Sequence, residues 1–369
     1  MKHNGVSQIL LYREDETMAD SGTVSDTKSE LYLLFGATGM LGSALLEQLL
    51  SRGKRVRVFV EEPIFDDRVE KITGDIRDME AVRKAVQGAD VVFQTVAIID
   101  WTPKKRGKLY DVNVKGNHNV IEACAEFGVK KLIYTSSVDV VIDGHDLYYV
   151  DETTPYVQKP FDPYAESKMI AEKEVISANG LPNGKEGLLT CALRPGGIYG
   201  PKDSVRLPNV IEVIRKGRPY RLGNGTALFS HVYVDNVAHA HILAAEKMGK
   251  GSPLEGQFYF ITDHKATNFY DFVYDDICKR LGYEIPDRRI PYWMAKTVAM
   301  VSEWWANIAK PDKPPLLTNY VVAATCKHCS FSHAKAKRDF GYEPIVSREE
   351  AIQRTVEDLR ARGYAKQSI

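Results

Sequence analysis

Tyr164 and Lys168 stand four residues apart in the run Pro163-Tyr164-Ala165-Glu166-Ser167-Lys168, a spacing that puts both on one helical face, one turn apart. A free phenol, with a pKa of about 10, is a poor base at neutral pH. A neighbouring ammonium favours the phenolate, so such a pair suits proton exchange with an alcohol/ketone couple. The spacing is a weak signal by itself, because Tyr292-Trp293-Met294-Ala295-Lys296 repeats it in a chain with 19 tyrosines. Context separates the two. Tyr164 follows a strand-like run that ends in Ser136-Ser137, and it opens a helix that precedes another strand. Tyr292 sits behind Pro291 with no serine-ended strand leading into it.

The second chemistry-bearing stretch is Leu31-Tyr32-Leu33-Leu34-Phe35-Gly36-Ala37-Thr38-Gly39-Met40-Leu41-Gly42. Five apolar residues read as a buried strand, and three glycines at a three-residue step lead into a helix. Leu45, Leu46, Leu49 and Leu50 continue that helix until Ser51-Arg52-Gly53 stops it. The first amide groups of a helix have no intrahelical partner, so a glycine turn entering one makes a seat for phosphate.

The elements that must hold these residues alternate regularly. Arg55–Val60, Val69–Ile72, Val91–Val96, Lys131–Thr135 and Leu188–Leu193 read as strands; Met79–Val86, Leu109–Phe127 and Pro163–Ala178 read as helices. Such alternation implies a Rossmann-type, doubly wound parallel sheet of the α/β class, with ligands beyond the carboxyl ends of its strands. Past about residue 200 the rhythm loosens. The expected organisation is a polar leader over 1–30, with Met18 as an alternative start, a dinucleotide-binding domain over 31–200, and a mainly C-terminal substrate lobe over 201–369. Phe229–Val234 and Gln257–Ile261 read as later strands returning near 229–261, and Val237–Met248, Phe269–Leu281, Pro291–Ala309 and Arg348–Arg360 as helices.

Composition narrows the classes. The 49 basic and 49 acidic residues balance, which argues against an electrostatic nucleic-acid binder. Five scattered cysteines make no disulfide framework, so a reducing, cytoplasmic setting is the expectation. Cys326-Lys327-His328-Cys329 has metal or redox spacing but no second cysteine pair, and a structural role is expected, with no bound metal. No apolar run reaches the ~20 residues of a membrane-spanning helix.

Taken in order, Gly36-x-x-Gly39-x-x-Gly42, Gly74-Asp75-Ile76, Asn113, Ser136-Ser137, Tyr164-x-x-x-Lys168 and Arg194-Pro195 resemble the extended short-chain dehydrogenase/reductase superfamily over roughly residues 31–361. Leu193-Arg194-Pro195-Gly196-Gly197-Ile198-Tyr199-Gly200-Pro201, Pro291-Tyr292-Trp293 and Phe331-Ser332 with Gly341-Tyr342-Glu343-Pro344 narrow the resemblance to its 3β-hydroxysteroid dehydrogenase branch, on the side of the sterol-4α-carboxylate 3-dehydrogenases (decarboxylating). The resemblance implies a catalytic set of Ser137, Tyr164, Lys168 and Asn113. Tyr164 exchanges the substrate proton and Ser137 bonds the same oxygen. Lys168 holds the nicotinamide ribose and lowers the Tyr164 pKa, and Asn113 supports Lys168 through water. For the dinucleotide it implies Gly36, Thr38, Gly39, Met40, Leu41 and Gly42 at the pyrophosphate, Glu61 at the adenosine ribose, Asp75 and Ile76 beside the adenine, and Thr95, Val96, Ala97, Tyr164, Lys168 and Pro195 further along.

The acid that usually ends the second strand in this superfamily is replaced by Val60, with Glu61 and Glu62 directly after it. Carboxylates repel a 2′-phosphate, so NAD is expected over NADP. The substrate expectation is a hydrophobic sterol oxidised at its 3β-hydroxyl, with loss of a 4-carboxylate as carbon dioxide. Alternatives are a nucleotide-sugar epimerase or dehydratase, a reductase of another large hydrophobic ketone, and a cofactor-binding regulatory protein. In the sugar enzymes an Arg often precedes the Asp of Val-x-Asp; here Leu228 stands in that place, with Arg218 and Arg221 upstream. Trp101, Trp293, Trp304 and Trp305 are expected either to wall an apolar cleft or to pack the small lobe. In Pro291–Ala309, Met294, Val298, Val301, Trp305 and Ile308 share a helical face interrupted by Lys296, Glu303 and Asn307. This face is expected to pack on protein or to touch a membrane surface peripherally. A homodimer is expected from the superfamily.

Overall fold

A computed structural model describes residues 29–64, 66–100, 105–309, 315 and 317–366. The leader, apart from residues 29 and 30, and Trp101 lie outside the described residues.

The strand predicted first is β1, Leu31–Phe35, buried at every position. Its side chains alternate between two cores. Tyr32 and Leu34 face one with α1 (Met40–Ser51) and the helix Val234–Lys247; Leu33 and Phe35 face the other with α2 (Met79–Val86) and the helix Pro163–Ser177. β2 (Arg55–Val60), β3 (Glu70–Thr73), β4 (Val91–Gln94) and β5 (Lys131–Thr135) join β1 in a seven-stranded, wholly parallel sheet. Leu189–Pro195 and Gln257–Ile261 complete it, in the order 257–261, 189–195, β5, β4, β1, β2, β3. The chain leaves β1 toward β2 and later returns to its other side as β4, so the strand order reverses between β1 and β4. The crevice at that reversal is where an open α/β sheet takes its ligand.

The helix expected over Leu109–Phe127 begins at Arg106 and passes through a π segment, Asp111–Gly116, before continuing as Asn117–Glu126. The widened turn carries Asn113, and Gly116 lies against Ile76, where a Cβ would stand 2.7 Å from Ile76 Cγ2. Phe229–Val234 is not one strand. Leu228–Phe229 joins a small sheet with Thr267–Asn268, Cys329–Phe331 and Leu147–Val150, while His231–Tyr233 pairs with Gly197–Tyr199. Ser230 forces the change of partner: its amide donates to the Cys329 carbonyl, and its hydroxyl accepts from the Phe331 amide at 3.0 Å.

In the helix Tyr292–Ala309 the apolar face does not pack on the protein, the first of its two expected roles. Ala295, Ala299 and Ala306 pack inward, and Trp293, Trp304 and Trp305 are 68, 63 and 60% exposed, so these tryptophans do not wall the cleft. Alanine lets the neighbouring helix Asn319–Cys326 approach closely, and the large residues turn outward with Val301 and Ile308. Among the described residues no helix is long and apolar enough to cross a membrane.

Candidate active site

The glycine turn leaves β1 at the reversal crevice. Gly36 has φ +91°, and a Cβ there would lie 2.7 Å from Thr95 Oγ1, at the end of β4. A Cβ on Gly42 would lie 2.0 Å from the Gly36 carbonyl oxygen, so this glycine lets α1 start against the turn. No side chain caps α1 at Gly39, and no acid stands in its first turn. The cradle therefore presents free amides and a positive helix end, which suits a pyrophosphate. The Thr95 hydroxyl donates to the Phe35 carbonyl at 2.7 Å and locks the two strand ends together. Val96 and Ala97 continue along the rim, and Thr38, Met40 and Leu41 follow the turn.

Glu61 is exposed just past β2. Asp75 meets Arg77 through both carboxylate oxygens, and that guanidinium holds its carboxyl below the usual range. Ile76 is buried against the π segment, and its carbonyl accepts from Asn119 at 3.0 Å. Pro195 ends its strand, buried, one residue beyond Arg194.

Across the crevice, β5 ends at Thr135 and delivers Ser136 and Ser137. Ser137 stands near enough to Tyr164 to favour its phenolate, and its Oγ accepts from the Asp139 amide at 3.2 Å, capping the short 3₁₀ turn Val138–Val141. Ser136 does not share this geometry; its amide donates to the Leu193 carbonyl, and its hydroxyl is buried without a partner. Tyr164 is the second residue of the helix Pro163–Ser177, which Asp162 caps by accepting from the Ala165 amide at 2.9 Å. Burial pushes the Tyr164 phenol up, Asp139 and Asp162 push it further, and Ser137 pulls it back.

Lys168 is buried one turn along the same helix. Its ammonium donates to the Thr135 carbonyl and lies 4.3 Å from the centre of the Tyr134 ring. It is thus directed to β5, and the group that pulls the Tyr164 phenol back down is Ser137. Burial brings Lys168 down to about 7, opposed by Glu172 and Asp139. Thr135 is steadied in turn by His241, whose Nε2 lies 2.7 Å from the threonine hydroxyl while Nδ1 donates to the Val237 carbonyl at 2.8 Å. Burial holds His241 neutral, at about 4, so Nε2 is free to accept.

Asn113 does not reach Lys168 directly. Its amide brackets the Ile98 backbone, accepting from N at 2.7 Å and donating to O at 3.0 Å, and also donates to Ser167 Oγ at 3.0 Å. It fastens the β4 exit to the helix that carries the tyrosine and lysine. The second Tyr-x-x-x-Lys, Tyr292 and Lys296, opens the outward-facing helix, with the ammonium 5.7 Å from the ring centre.

Sequence reasoning missed Asp139 and Tyr320. Asp139 is buried, and its Oδ1 accepts from the Tyr320 hydroxyl at 2.8 Å across 181 residues of chain. Burial, then Asp162, raise its carboxyl to about 6, against hydrogen bonds from Tyr320 and Ser137 and the charge of Arg206. Its place in Val138-Asp139-Val140, directly after the serine, was a visible signal: a carboxylate inside an apolar run must be buried or turned to a site. Because an ionised Asp139 raises Tyr164, removing its charge should lower the phenol. The Asp139→Asn variant should move the rising limb of kcat/KM for alcohol oxidation to lower pH by roughly one unit. A pH–rate profile checks this, and an unchanged or upward-shifted limb contradicts it.

The sequence model of the 3-beta hydroxysteroid dehydrogenase/isomerase family matches residues 33–292. The chain is 38% identical over 337 residues to the sterol-4-alpha-carboxylate 3-dehydrogenase, decarboxylating, of Mus musculus, covering 90% of this chain and 92% of the relative. It is 35% identical over 330 residues to the 3-beta-hydroxysteroid dehydrogenase of Mycolicibacterium neoaurum, covering 87% and 88%. Among solved structures, the UDP-glucose 4-epimerase of Thermotoga maritima aligns with a TM-score of 0.69 and 21% identity over 90% of this chain and 99% of that one, a likeness of fold.

Proposed function

Since the chain belongs to the 3-beta hydroxysteroid dehydrogenase/isomerase family, we propose that it oxidises the 3β-hydroxyl of a sterol bearing a carboxylate at C4, with NAD as hydride acceptor and carbon dioxide as a second product. It is an oxidoreductase acting on CH–OH groups. The observation that carries the reading is the meeting of Ser137 and Tyr164 at the carboxyl end of β5, with the buried Lys168 one turn along the helix from Tyr164 and bonded to the Thr135 carbonyl.

Ser137 and Tyr164 bind the C3 oxygen, and the Tyr164 phenolate takes its proton as hydride leaves C3. Nicotinamide supplies the acceptor for that hydride and a positive charge in the oxidised form. The product is a β-keto acid. Its C4–carboxylate bond breaks with the electron pair passing into the ketone as an enolate, carbon dioxide departs, and C4 then takes a proton. Gly36, Gly39 and Gly42 hold the pyrophosphate, and Lys168 orients the ribose from its place against β5. The nucleotide-sugar alternative loses support, because Arg221 is committed to Asp271 at 2.8 Å and Asp275 at 2.9 Å, and Arg218 is exposed.

The test is purified protein with NAD against 3β-hydroxysteroids, 4-carboxysterols and UDP-sugars, with products identified by mass. A product lighter by carbon dioxide from the 4-carboxysterol is the expected result; turnover of UDP-sugars alone overturns the reading. Glu61 and Glu62, exposed past β2, favour a free 2′-hydroxyl over a phosphate. NAD should therefore exceed NADP in kcat/KM by about 10-fold or more. Side-by-side initial rates decide it, and a preference for NADP refutes it.

A sterol is delivered from a bilayer, and the outward tryptophans of Tyr292–Ala309 supply a membrane-facing surface. Liposomes should sediment the protein and shift its tryptophan emission to the blue. Trp304→Glu with Trp305→Glu should abolish both effects, and sedimentation untouched by the double variant would exclude this helix as the contact.

A further inference from the structure

Arg206 forms no ion pair among the described residues. It opens the helix Arg206–Arg215, and among the described residues no carboxylate lies within salt-bridge distance of its guanidinium. Asp203, the nearest in sequence, is occupied with the amides of Val205, Arg206 and Leu207. The guanidinium is instead walled by Phe229 and Phe269, with ring centres 5.2 and 5.4 Å away, and Nη2 donates to His231 Nδ1 at 2.9 Å. That bond makes Nδ1 the acceptor and leaves the His231 proton on Nε2. The ring is 6% exposed and stacks on Phe272 with centres 3.9 Å apart. Two buried donors, Arg206 Nη1 and His231 Nε2, have no hydrogen-bond partner among the described residues. An orphaned donor beside an unpaired cation is costly to keep, which points to an anionic partner supplied from outside.

The position of the pair says which part of a substrate that partner belongs to. Gly197 follows the strand Leu189–Pro195, and a Cβ there would come within 2.3 Å of Arg206 Nη1, so the glycine makes room for the guanidinium at the carboxyl edge of the sheet. That strand is paired in parallel with β5, Leu193 opposite Thr135, so Pro195 and Ser137 come at the same level beyond the pair. Arg206 is within electrostatic reach of Tyr320 and Asp139, the group beside Ser137 and Tyr164. Phe229, Phe269 and Tyr320 belong to one apolar cluster with Val138 and Val140.

We propose that Arg206, with His231 Nε2–H beside it, binds the substrate carboxylate and so makes the enzyme select a 4-carboxysterol over the same 3β-hydroxysterol without the acid. This deepens the function proposed above and rests on it. The walls of Phe229 and Phe269 keep the ion pair out of bulk water, and the guanidinium fork holds a carboxylate by two bonds where an ammonium offers a point charge. Held there, the carboxylate keeps its charge through oxidation at C3.

The experiment compares kcat/KM for a 4α-carboxy-3β-hydroxysterol and its carboxylate-free counterpart in wild type, Arg206→Met and Arg206→Lys, with NAD affinity and thermal melting as checks on the fold. The acid-to-neutral ratio should fall about 30-fold in Arg206→Met, mainly through KM, and about 5-fold in Arg206→Lys. Should Arg206→Met not fold, the Arg206→Lys ratio alone decides. Equal losses on both sterols, leaving the ratio unchanged, assign Arg206 a structural role and overturn this inference while the proposed function stands. A wild-type enzyme idle on both sterols overturns the function and this inference with it.

Discussion

Tyr164→Phe is expected to lower kcat for alcohol oxidation by about 10³-fold or more while NAD still binds, because it removes one oxygen and leaves the ring in place. The phenol faces Ser137 at the end of β5, where the resemblance places the reacting oxygen, while the other titratable group beside Ser137, Asp139, has its Oδ1 engaged by the Tyr320 hydroxyl. Its burial and the facing Asp139 and Asp162 make the phenolate hard to form, so oxidation should quicken as pH rises, whereas the reverse reduction draws on the phenol already present. Single-turnover measurements with NAD separate the chemical step from binding. Turnover within tenfold of wild type would remove Tyr164 from the role of base.

The largest expected loss of stability lies at Arg194 and Glu172. Both side chains are fully buried, and Arg194 Nε lies 3.1 and 3.0 Å from the two Glu172 oxygens. Tyr156 donates to the same carboxylate at 2.7 Å, and Phe258 lies 3.7 Å from the guanidinium carbon. Removing one partner leaves the other charged in an apolar interior, so Arg194→Met or Glu172→Met should cost about 3–5 kcal/mol by denaturant unfolding. The double replacement should cost less than the sum of the two singles. Singles within about 1 kcal/mol of wild type would contradict this. The pair joins the strand that ends in Pro195 to the helix carrying Tyr164 and Lys168, so activity should fall with it.

Most of the scaffold was legible because its signals are local. Five apolar residues before Gly36, leucines at helical spacing after it, and strands broken by turns gave β1, α1 and the parallel sheet, and Gln257–Ile261 was recognised as a strand despite its distance in sequence. What escaped depends on contacts between distant segments. Nothing near Tyr320 announces that it bonds Asp139, and nothing near His241 tells that it steadies Thr135. The periodicity of Tyr292–Ala309 identified a helix with an apolar face but not its direction, since a smaller face of three alanines made the closer fit. Glu303, read as an interruption of that face, accepts from the Asn319 amide at 2.6 Å and also from its side chain.

That last contact joins the outer helix to the helix that carries Tyr320. Glu303 holds Asn319, the first residue of the helix that Thr318 caps and whose second residue is Tyr320, and Tyr320 reaches Asp139 beside Ser137. A surface that restrained the tryptophan-bearing helix would act on Tyr320 through Glu303 and Asn319, and on Asp139 through the Tyr320 hydroxyl. Reciprocity then requires that a ligand which fixes Asp139 and Tyr320 change the grip of the outer helix on any surface it meets, by the same free energy.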